Sequence, residues 1–188
     1  MMPMPPTIPT PMTPTLFQRL LGASFYNMPA TLRMLHGRRG HARYAGRASV
    51  VRGRGLLARL CARMAGVPPA AEDVAVSIDF DDDARGGEIW HRRFGDAPMR
   101  SRLRLHGGKL VERLGLVRLH FSLHVHEGAL YWYVDGLRVF GLLPLPAAWC
   151  KGVRCREREV DGRYEFLVEA ALPLAGPVVR YEGWLEPA

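Results

Sequence analysis

Residues 116–140 read LVRLHFSLHVHEGALYWYVDGLRVF, and this stretch shows most clearly the pattern on which the fold is built. Apolar and polar residues alternate along much of both halves, which is the period of a strand with one buried face. The Glu127-Gly128 pair between the halves predicts a glycine-bearing turn, because glycine tolerates a positive φ. Pairing through this loop places Leu123 opposite Trp132. The stretch therefore predicts an antiparallel hairpin with an apolar inner face and a polar outer face.

The same period of two extends in both directions from this hairpin. Short β-rich runs separated by glycine-bearing turns cover Val74–Phe80, Glu88–Phe94, Met99–Leu105, Lys109–Leu114, Gly152–Val160, Arg163–Leu172 and Val178–Leu185. They predict an antiparallel meander of about eight to ten strands. We expect this meander to curl into a full or partial barrel, because closure removes unpaired sheet edges. The proline-rich segment Gly141–Pro146 is expected to cross along a rim.

The N-terminal part of the chain has helical periodicity instead. Residues Leu16–His36 predict two short helices, because Pro29 disfavours a helical conformation in the residue before it. Residues His36–Gly46 are expected to form a loop and Arg47–Arg52 a short strand. A further helix is predicted over Gly55–Ala65, with Leu56, Leu57, Leu60, Cys61 and Met64 on one face and Arg59 and Arg63 on another. The fold class is therefore α+β and mainly antiparallel β, with two or three N-terminal helices.

Length and composition favour a single domain over residues 16–188, after a Pro/Thr-rich tail over residues 1–15 that we expect to be disordered. The chain has 188 residues, 48% of them hydrophobic and 23% charged. Its N-terminus lacks the apolar stretch of a signal peptide, and no run approaches the ~18 apolar residues of a membrane span. The three cysteines show no CxxC spacing. We expect a cytoplasmic protein with reduced thiols and no bound metal.

The positive charge is concentrated at the N-terminal end. The net charge is +8, yet the first 71 residues carry ten arginines and no acid, and the first acidic residue is Glu72. This basic segment, residues 16–71, suggests attachment to an anionic membrane or to nucleic acid through the basic face of the Gly55–Ala65 helix. Lipid is favoured over nucleic acid, because the segment lacks interleaved aromatic residues for base stacking.

Scattered residues over most of the chain resemble the family known as domain of unknown function 4166. The resemblance rests on Val51-Arg52-Gly53 before Ala58-Arg59, Trp90-x-Arg92-x-Phe94, Glu112 before Leu114-Gly115, Pro144-Leu145-Pro146, Glu157 before Asp161-Gly162, and Val179-x-Tyr181-x-Gly183. Such domains occur alone or downstream of oxidoreductase-like domains that bind nucleotide cofactors. The resemblance thus implies a bacterial accessory or ligand-handling module with an oxidoreductase partner, and it transfers no activity.

The segment Val50–Ala58 imitates a dinucleotide-binding fingerprint, because it reads as strand, GxGxxA and helix. That fold needs alternating strands and helices around a parallel sheet, whereas the chain after Val74 consists of hairpins. We therefore expect no nucleotide cofactor. A weaker prediction remains, in which backbone N–H groups and flanking guanidinium groups bind a phosphate or carboxylate. The residues of this predicted anion site are Arg52, Gly53, Arg54, Gly55 and Arg59.

Three charged residues occupy predicted inward positions. Pairing through the Asp96-Ala97 loop sets Arg92 opposite Ser101, pairing through Gly107-Gly108 sets Glu112 opposite Leu103, and pairing through Asp161-Gly162 sets Glu157 opposite Phe166. Buried charges must be paired or face a hydrated cavity, so these residues either form ion pairs that hold the barrel strands together or line a pocket.

The preferred function is a non-catalytic module that binds an apolar or amphipathic small molecule inside the barrel. The interior should contain a void of at least a few hundred Å³. The expected lining comprises Trp90, Phe94, Leu103, Phe121, Leu123, Trp132 and Phe166, with Arg92, Glu112 and Glu157 around a polar head. An enzymatic alternative uses Glu112 or Glu157 as a general base, which requires that Arg92 does not neutralise it.

A row of histidine residues on the central hairpin is a candidate metal site. His120, Ser122, His124 and His126 share one face of their strand, and the hairpin register sets His124 opposite Tyr131 and Ser122 opposite Tyr133. A catalytic zinc would need three protein ligands and an open position. A solvated ladder of histidine and tyrosine side chains is the favoured interpretation.

Overall fold

The structure is a computed structural model that describes residues 13–188. Of the expected tail over residues 1–15, the part up to residue 12 lies outside the described residues. Thr15 caps the first helix, and its hydroxyl accepts a hydrogen bond from the Gln18 backbone N–H at 3.3 Å.

Three short helices and eleven strands make up the described chain. The helices are α1 (Leu16–Leu21), α2 (Ala30–Gly37) and α3 (Leu56–Met64), with 3₁₀ turns at Gly22–Asn27 and Ala147–Gly152. The strands are β1 (Ala42–Arg52), β2 (Ala71–Asp82), β3 (Glu88–Phe94), β4 (Ala97–His106), β5 (Lys109–Leu114), β6 (Val117–His126), β7 (Ala129–Val139), β8 (Leu143–Leu145), β9 (Val153–Val160), β10 (Arg163–Leu172) and β11 (Gly176–Pro187). The predicted α+β class, mainly antiparallel with N-terminal helices, is confirmed.

Ten of these strands form a closed antiparallel barrel. Neighbours pair in chain order from β1 to β7, then β7 pairs with β9, and β10 and β11 follow until β11 pairs with β1. The proline-rich rim segment contributes only the short β8, which pairs with the end of β7. Closure gives the ring strands neighbours on both sides, so the apolar faces of the hairpins meet in one core.

The predicted registers are confirmed for three hairpins and wrong for one. Leu123 lies opposite Trp132, Glu112 opposite Leu103, and Glu157 opposite Phe166. Between β3 and β4, however, the turn is Gly95-Asp96 instead of Asp96-Ala97, so Arg92 lies opposite Met99 and Trp90 opposite Ser101. Gly95 adopts a φ of +57°, a conformation that glycine reaches without a side-chain clash, and this choice shifts the register.

Strand β1 starts earlier than predicted. The expected loop over His36–Gly46 is wrong from Ala42 onward, because this stretch pairs with both β2 and β11 and closes the barrel. A side chain at Gly46 would place its Cβ 1.9 Å from the Trp184 carbonyl oxygen, so glycine allows the close approach of β11. Hydrogen bonding to two neighbouring strands outweighs the preference of this Gly- and Arg-rich stretch for a loop.

The two ends of the barrel differ. At the end that we call the plug end, α1 and α2 insert the fully buried side chains of Phe17 and His36 among the aromatic residues of the sheet. Phe17 lies 5.7 Å from Trp132 and 6.3 Å from Trp90 between ring centroids. At the opposite end, the α3 end, the single helix α3 lies across the opening between β1 and β2.

Helix α3 packs through alanine instead of leucine. Ala58 and Ala62 are its buried residues, whereas Leu56 is 84% exposed. The preceding turn brings the helix close to β11, since a Cβ at Gly53 would lie 1.8 Å from the Pro177 carbonyl oxygen and 2.8 Å from the Ala58 Cβ. Only small side chains fit this contact, so the leucine-bearing face remains at the surface.

Candidate binding site inside the barrel

An apolar chamber of about 130 Å³ lies inside the barrel beneath α3. Cys61 and Met64 of α3 form part of its roof, and aliphatic side chains of β5, β6, β7, β10 and β11 form most of its wall. The polar residues Glu112, Cys155 and Tyr181 line its inner end. Each lies two residues along its strand from an apolar residue of the wall, on the same inward face. The chamber therefore combines a hydrocarbon wall with a few polar groups at one end.

The chamber is smaller than the expected void of a few hundred Å³. The reason is the plug, which we define as α1 and α2 with the inserted side chains of Phe17 and His36. Phe17 packs against Trp90 and Trp132, and these rings fill the other half of the barrel. Of the expected lining, Phe121 and Glu112 reach the chamber.

The remaining aromatic residues of the predicted site lie deeper or beside it. Phe94 and Phe166 pack around Tyr181, at ring-centroid distances of 5.6 and 6.2 Å. Leu103 is fully buried in the core and Leu123 is half-buried against it. These residues support the inner wall instead of forming the chamber surface.

Arg92 and Glu112 form a buried ion pair at the inner level of the chamber. Arg92 Nη2 donates to Glu112 Oε1 at 3.3 Å and Nη1 donates to Ser101 Oγ at 2.8 Å. The two charged side chains are only 8% and 9% exposed. The guanidinium also lies 4.7 Å from the Trp90 ring centroid, which adds a cation–π contact. Among residues 13–188, Glu112 Oε2 accepts no hydrogen bond, so one carboxylate oxygen remains for a ligand.

Glu157 belongs to a different contact. Its Oε2 lies 2.5 Å from Nε2 of His36, which is fully buried on α2, so this pair connects the plug to β9. Arg92 contacts Glu112 but makes no ion pair with Glu157 among the described residues. The inward charges therefore divide into an ion pair at the chamber and a structural contact at the plug. The general-base hypothesis loses Glu112, which Arg92 neutralises, and for Glu157 it stays a prediction.

Glu88 is a third buried carboxylate, and the sequence analysis did not single it out. Trp90 Nε1 donates to Glu88 Oε2 at 2.7 Å, and Arg38 Nη2 donates to the same oxygen at 2.9 Å. Burial raises the pKa of Glu88, and the charge of Arg38 partly opposes this effect. The period of two on β3 puts Glu88 on the same face as Trp90 and could have revealed it. No such signal exists for His36 or Arg38, which reach the core from outside the predicted strands.

The polar groups of the chamber other than the ion pair are uncharged at neutral pH. Burial, together with the nearby carboxylates of Glu112 and Glu157, raises the pKa of the Cys155 thiol well above its ordinary value. Burial likewise raises the pKa of the Tyr181 hydroxyl. Because the thiolate is the reactive form of cysteine, Cys155 is not an activated nucleophile. The chamber thus has no net charge, which suits an uncharged ligand.

The predicted anion site lies outside the chamber, on the surface of the α3 end. Arg52, Arg54 and Arg59, with Arg63, line an open cleft of about 790 Å³ that we call the basic cleft. Gly53 lies in the same cleft, where it allows the turn to approach β11, and Gly55 precedes α3 as its N-cap. The structure therefore brings the predicted residues together, and it adds Arg63.

The histidine row faces away from the barrel core. His124 lies opposite Tyr131 and Ser122 opposite Tyr133, as predicted. Burial, with the positive charges of Arg138 and Arg118, lowers the pKa of His120. Within residues 13–188, no group of three or more His, Cys, Asp or Glu side chains is arranged to hold a metal ion.

A family model described as a domain of unknown function, DUF4166, matches residues 28–185. The chain belongs to the DUF4166 family. The matched region begins before α2 and reaches β11, so the DUF4166 domain includes the whole barrel, α3 and the chamber. A comparison with curated proteins found no match. No helix of the DUF4166 domain, within the described part of the chain, has the length and apolar character needed to cross a bilayer.

Proposed function

We propose that this DUF4166 domain binds a small, uncharged, mainly apolar molecule in the chamber beneath α3. The observation that carries the proposal is an apolar space inside the barrel with one unengaged carboxylate oxygen of Glu112 at its inner end. The volume of about 130 Å³ suits a ligand of roughly the size of benzene, since an engineered cavity of about 150 Å³ binds benzene. A hydroxyl or amide N–H on such a ligand would donate to Glu112.

The energetic cost of the void supports this proposal. A closed, dry cavity costs about 24 cal/mol per Å³, so a chamber of 130 Å³ costs at most about 3 kcal/mol of folding stability. Small changes in the wall, such as leucine at the position of Ala170, would fill it. A chain that leaves the space open, next to a polar group, gives up stability that simple packing would recover.

A connection to an oxidoreductase is supported only by the family resemblance described above. In that setting the chamber would hold a substrate, product or effector of the partner. The proposal of a binding module does not depend on this connection.

Binding of phenol and benzene, measured by isothermal titration calorimetry and ligand-observed NMR, tests the proposed function. We expect both probes to bind wild-type protein and phenol to bind more tightly, because its hydroxyl can donate to Glu112. Ala170→Leu should weaken both probes at least tenfold and raise the thermal midpoint of unfolding, because it fills the void. Ala75→Leu, on the exposed face of β2, is the matched control and should change neither binding nor the chamber.

Two results would overturn the proposal. One is that neither phenol nor benzene binds at millimolar concentration. The other is equal binding to wild type and to a folded Ala170→Leu variant. Native mass spectrometry of freshly purified protein provides an independent measurement, since a retained small apolar ligand appears as a defined mass increment that Ala170→Leu should abolish.

A further inference from the structure

The α3 end of the barrel carries an exposed apolar surface that the ligand chamber does not explain. Six large apolar side chains there are each more than half exposed, and we call them the apolar rim: Leu56, Leu60, Phe140, Leu142, Leu143 and Leu174. The plug end exposes far less, with Tyr26 and Met34 as its large exposed apolar residues among those described. Large clustered apolar exposure on a protein surface is typical of an interaction site.

The topology explains why residues so distant in sequence converge. In an antiparallel barrel alternate connections lie at the same end, so α3 and the turns after β5, β7 and β10 all meet at one opening. The Leu116 backbone N–H donates to the Met64 carbonyl at 2.9 Å, which joins the turn after β5 to α3. The Phe140 N–H donates to the Leu116 carbonyl at 2.8 Å, which joins the turn after β7 to the same structure. The apolar rim is therefore held on an ordered scaffold.

The basic cleft lies beside this apolar rim. Arg52, Arg54, Arg59 and Arg63 make no ion pair with any described residue, and no acidic residue lines their cleft. Arg38, Arg43 and Arg47 pair with acids of β2 and β3, whereas Arg19, Arg33 and Arg39 make no ion pair with a described residue. Four of the seven unpaired arginines of residues 16–71 therefore lie together in the basic cleft.

We propose that the α3 end docks on an anionic membrane surface. The leucine and phenylalanine side chains of the apolar rim enter the boundary between headgroups and acyl chains, and the guanidinium groups of the basic cleft bind lipid phosphates. Stable attachment at a membrane surface takes two signals, and this end presents both an apolar and a cationic one. A nucleic acid would match the arginines but not the apolar rim, where five of the six side chains are leucines and Phe140 is the single aromatic ring for base stacking. This inference does not rest on the chamber holding a ligand.

Vesicle flotation tests the inference with the full chain and two lipid compositions, phosphatidylcholine alone and phosphatidylcholine with about one third phosphatidylglycerol. We expect binding to the anionic vesicles at low salt, much weaker binding at high salt, and little binding to the neutral vesicles. Replacement of two rim residues, Leu56→Ser with Phe140→Ser, should lower the partition coefficient at least tenfold. Replacement of two arginines, Arg54→Gln with Arg59→Gln, should lower it roughly fivefold per arginine.

Matched controls separate the docking surface from general effects. Met34→Ser removes an exposed apolar side chain at the plug end, and Arg93→Gln with Arg100→Gln removes two positive charges from the barrel wall. Both controls should bind anionic vesicles as wild type does, within about twofold. Circular dichroism confirms that each variant is folded, which the exposure of the replaced side chains leads us to expect.

Three outcomes would overturn the inference. They are no binding to anionic vesicles at low salt, binding that the rim variants leave unchanged, and tighter binding to duplex DNA that needs the arginines but not the rim. The chamber-filling variant Ala170→Leu keeps the two proposals distinct. It should lose phenol and retain vesicle binding, so either proposal can fail without the other.

Discussion

Removal of the guanidinium from the buried ion pair at the chamber should destabilise the barrel strongly. In the variant Arg92→Met, Glu112 would remain as an uncompensated carboxylate in a largely apolar interior, and Ser101 would lose its hydrogen bond. Breaking a buried pair by removing one partner typically costs 3–5 kcal/mol, and the lost hydrogen bond to the Ser101 hydroxyl adds about 1 kcal/mol. We expect a decrease of about 4–6 kcal/mol in the free energy of unfolding.

The double variant Arg92→Met with Glu112→Leu separates burial of a lone charge from loss of packing. Because both charges are then absent, we expect it to recover most of the loss and to lie within about 2 kcal/mol of wild type. Arg158→Met is the matched control on the outer surface. Arg158 donates two hydrogen bonds to Glu165, at 3.0 and 2.9 Å, but these side chains are 45% and 33% exposed, so its loss should cost less than about 1 kcal/mol.

Urea denaturation followed by far-ultraviolet circular dichroism measures these differences. Tryptophan fluorescence is less suitable, because Arg92 lies over the Trp90 ring. An equal cost for Arg92→Met and Arg158→Met would mean that solvent screens charges inside the barrel as strongly as outside it, which contradicts a buried ion pair. A double variant as unstable as the single one would mean that the loss comes from packing and not from an uncompensated charge.

Three further predictions concern the turn, the plug and pH. Gly53→Ala should lower the free energy of unfolding by about 3 kcal/mol, because the added Cβ would meet a backbone carbonyl oxygen of β11. Gly55→Ala, with no neighbour closer than 3.9 Å, should lower it by less than about 1 kcal/mol. Equal urea midpoints for the two variants would contradict a steric role for Gly53. Phe17→Ala should lower the free energy of unfolding by about 3–5 kcal/mol, because the ring is fully buried. Tyr26→Ala, at an exposed position, should lower it by less than about 0.5 kcal/mol. Comparison of the two urea midpoints checks whether the plug contributes to the core. Burial raises the pKa of Glu88 above its ordinary 4.5, so its stabilising contribution is complete below that pH and decreases as pH rises through the folded-state pKa. The stability of wild type relative to Glu88→Gln should therefore fall as pH rises from about 4.5, and a constant or rising difference would contradict the direction of the pKa shift.

The candidate site was only partly predictable, and the reason differs between residues. The inward positions of Arg92, Glu112 and Glu157 follow from the period of two, because successive side chains of a strand face opposite sides. Their partners do not follow in the same way. His36 reaches Glu157 from α2, and Arg92 bonds Ser101 diagonally across a register that differs from the predicted one.

Alternation, turn residues and helical spacing act over a few residues, so they predict the hairpins, their antiparallel order, the inward faces and the N-terminal helices. Contacts between distant elements are needed to show that β1 closes the ring, that the plug fills one half of the barrel, and that α3 packs through alanine and exposes its leucines. These outcomes depend on the space left between elements distant in the chain. The chamber, the apolar rim and the basic cleft exist because of that space, and no local pattern encodes it.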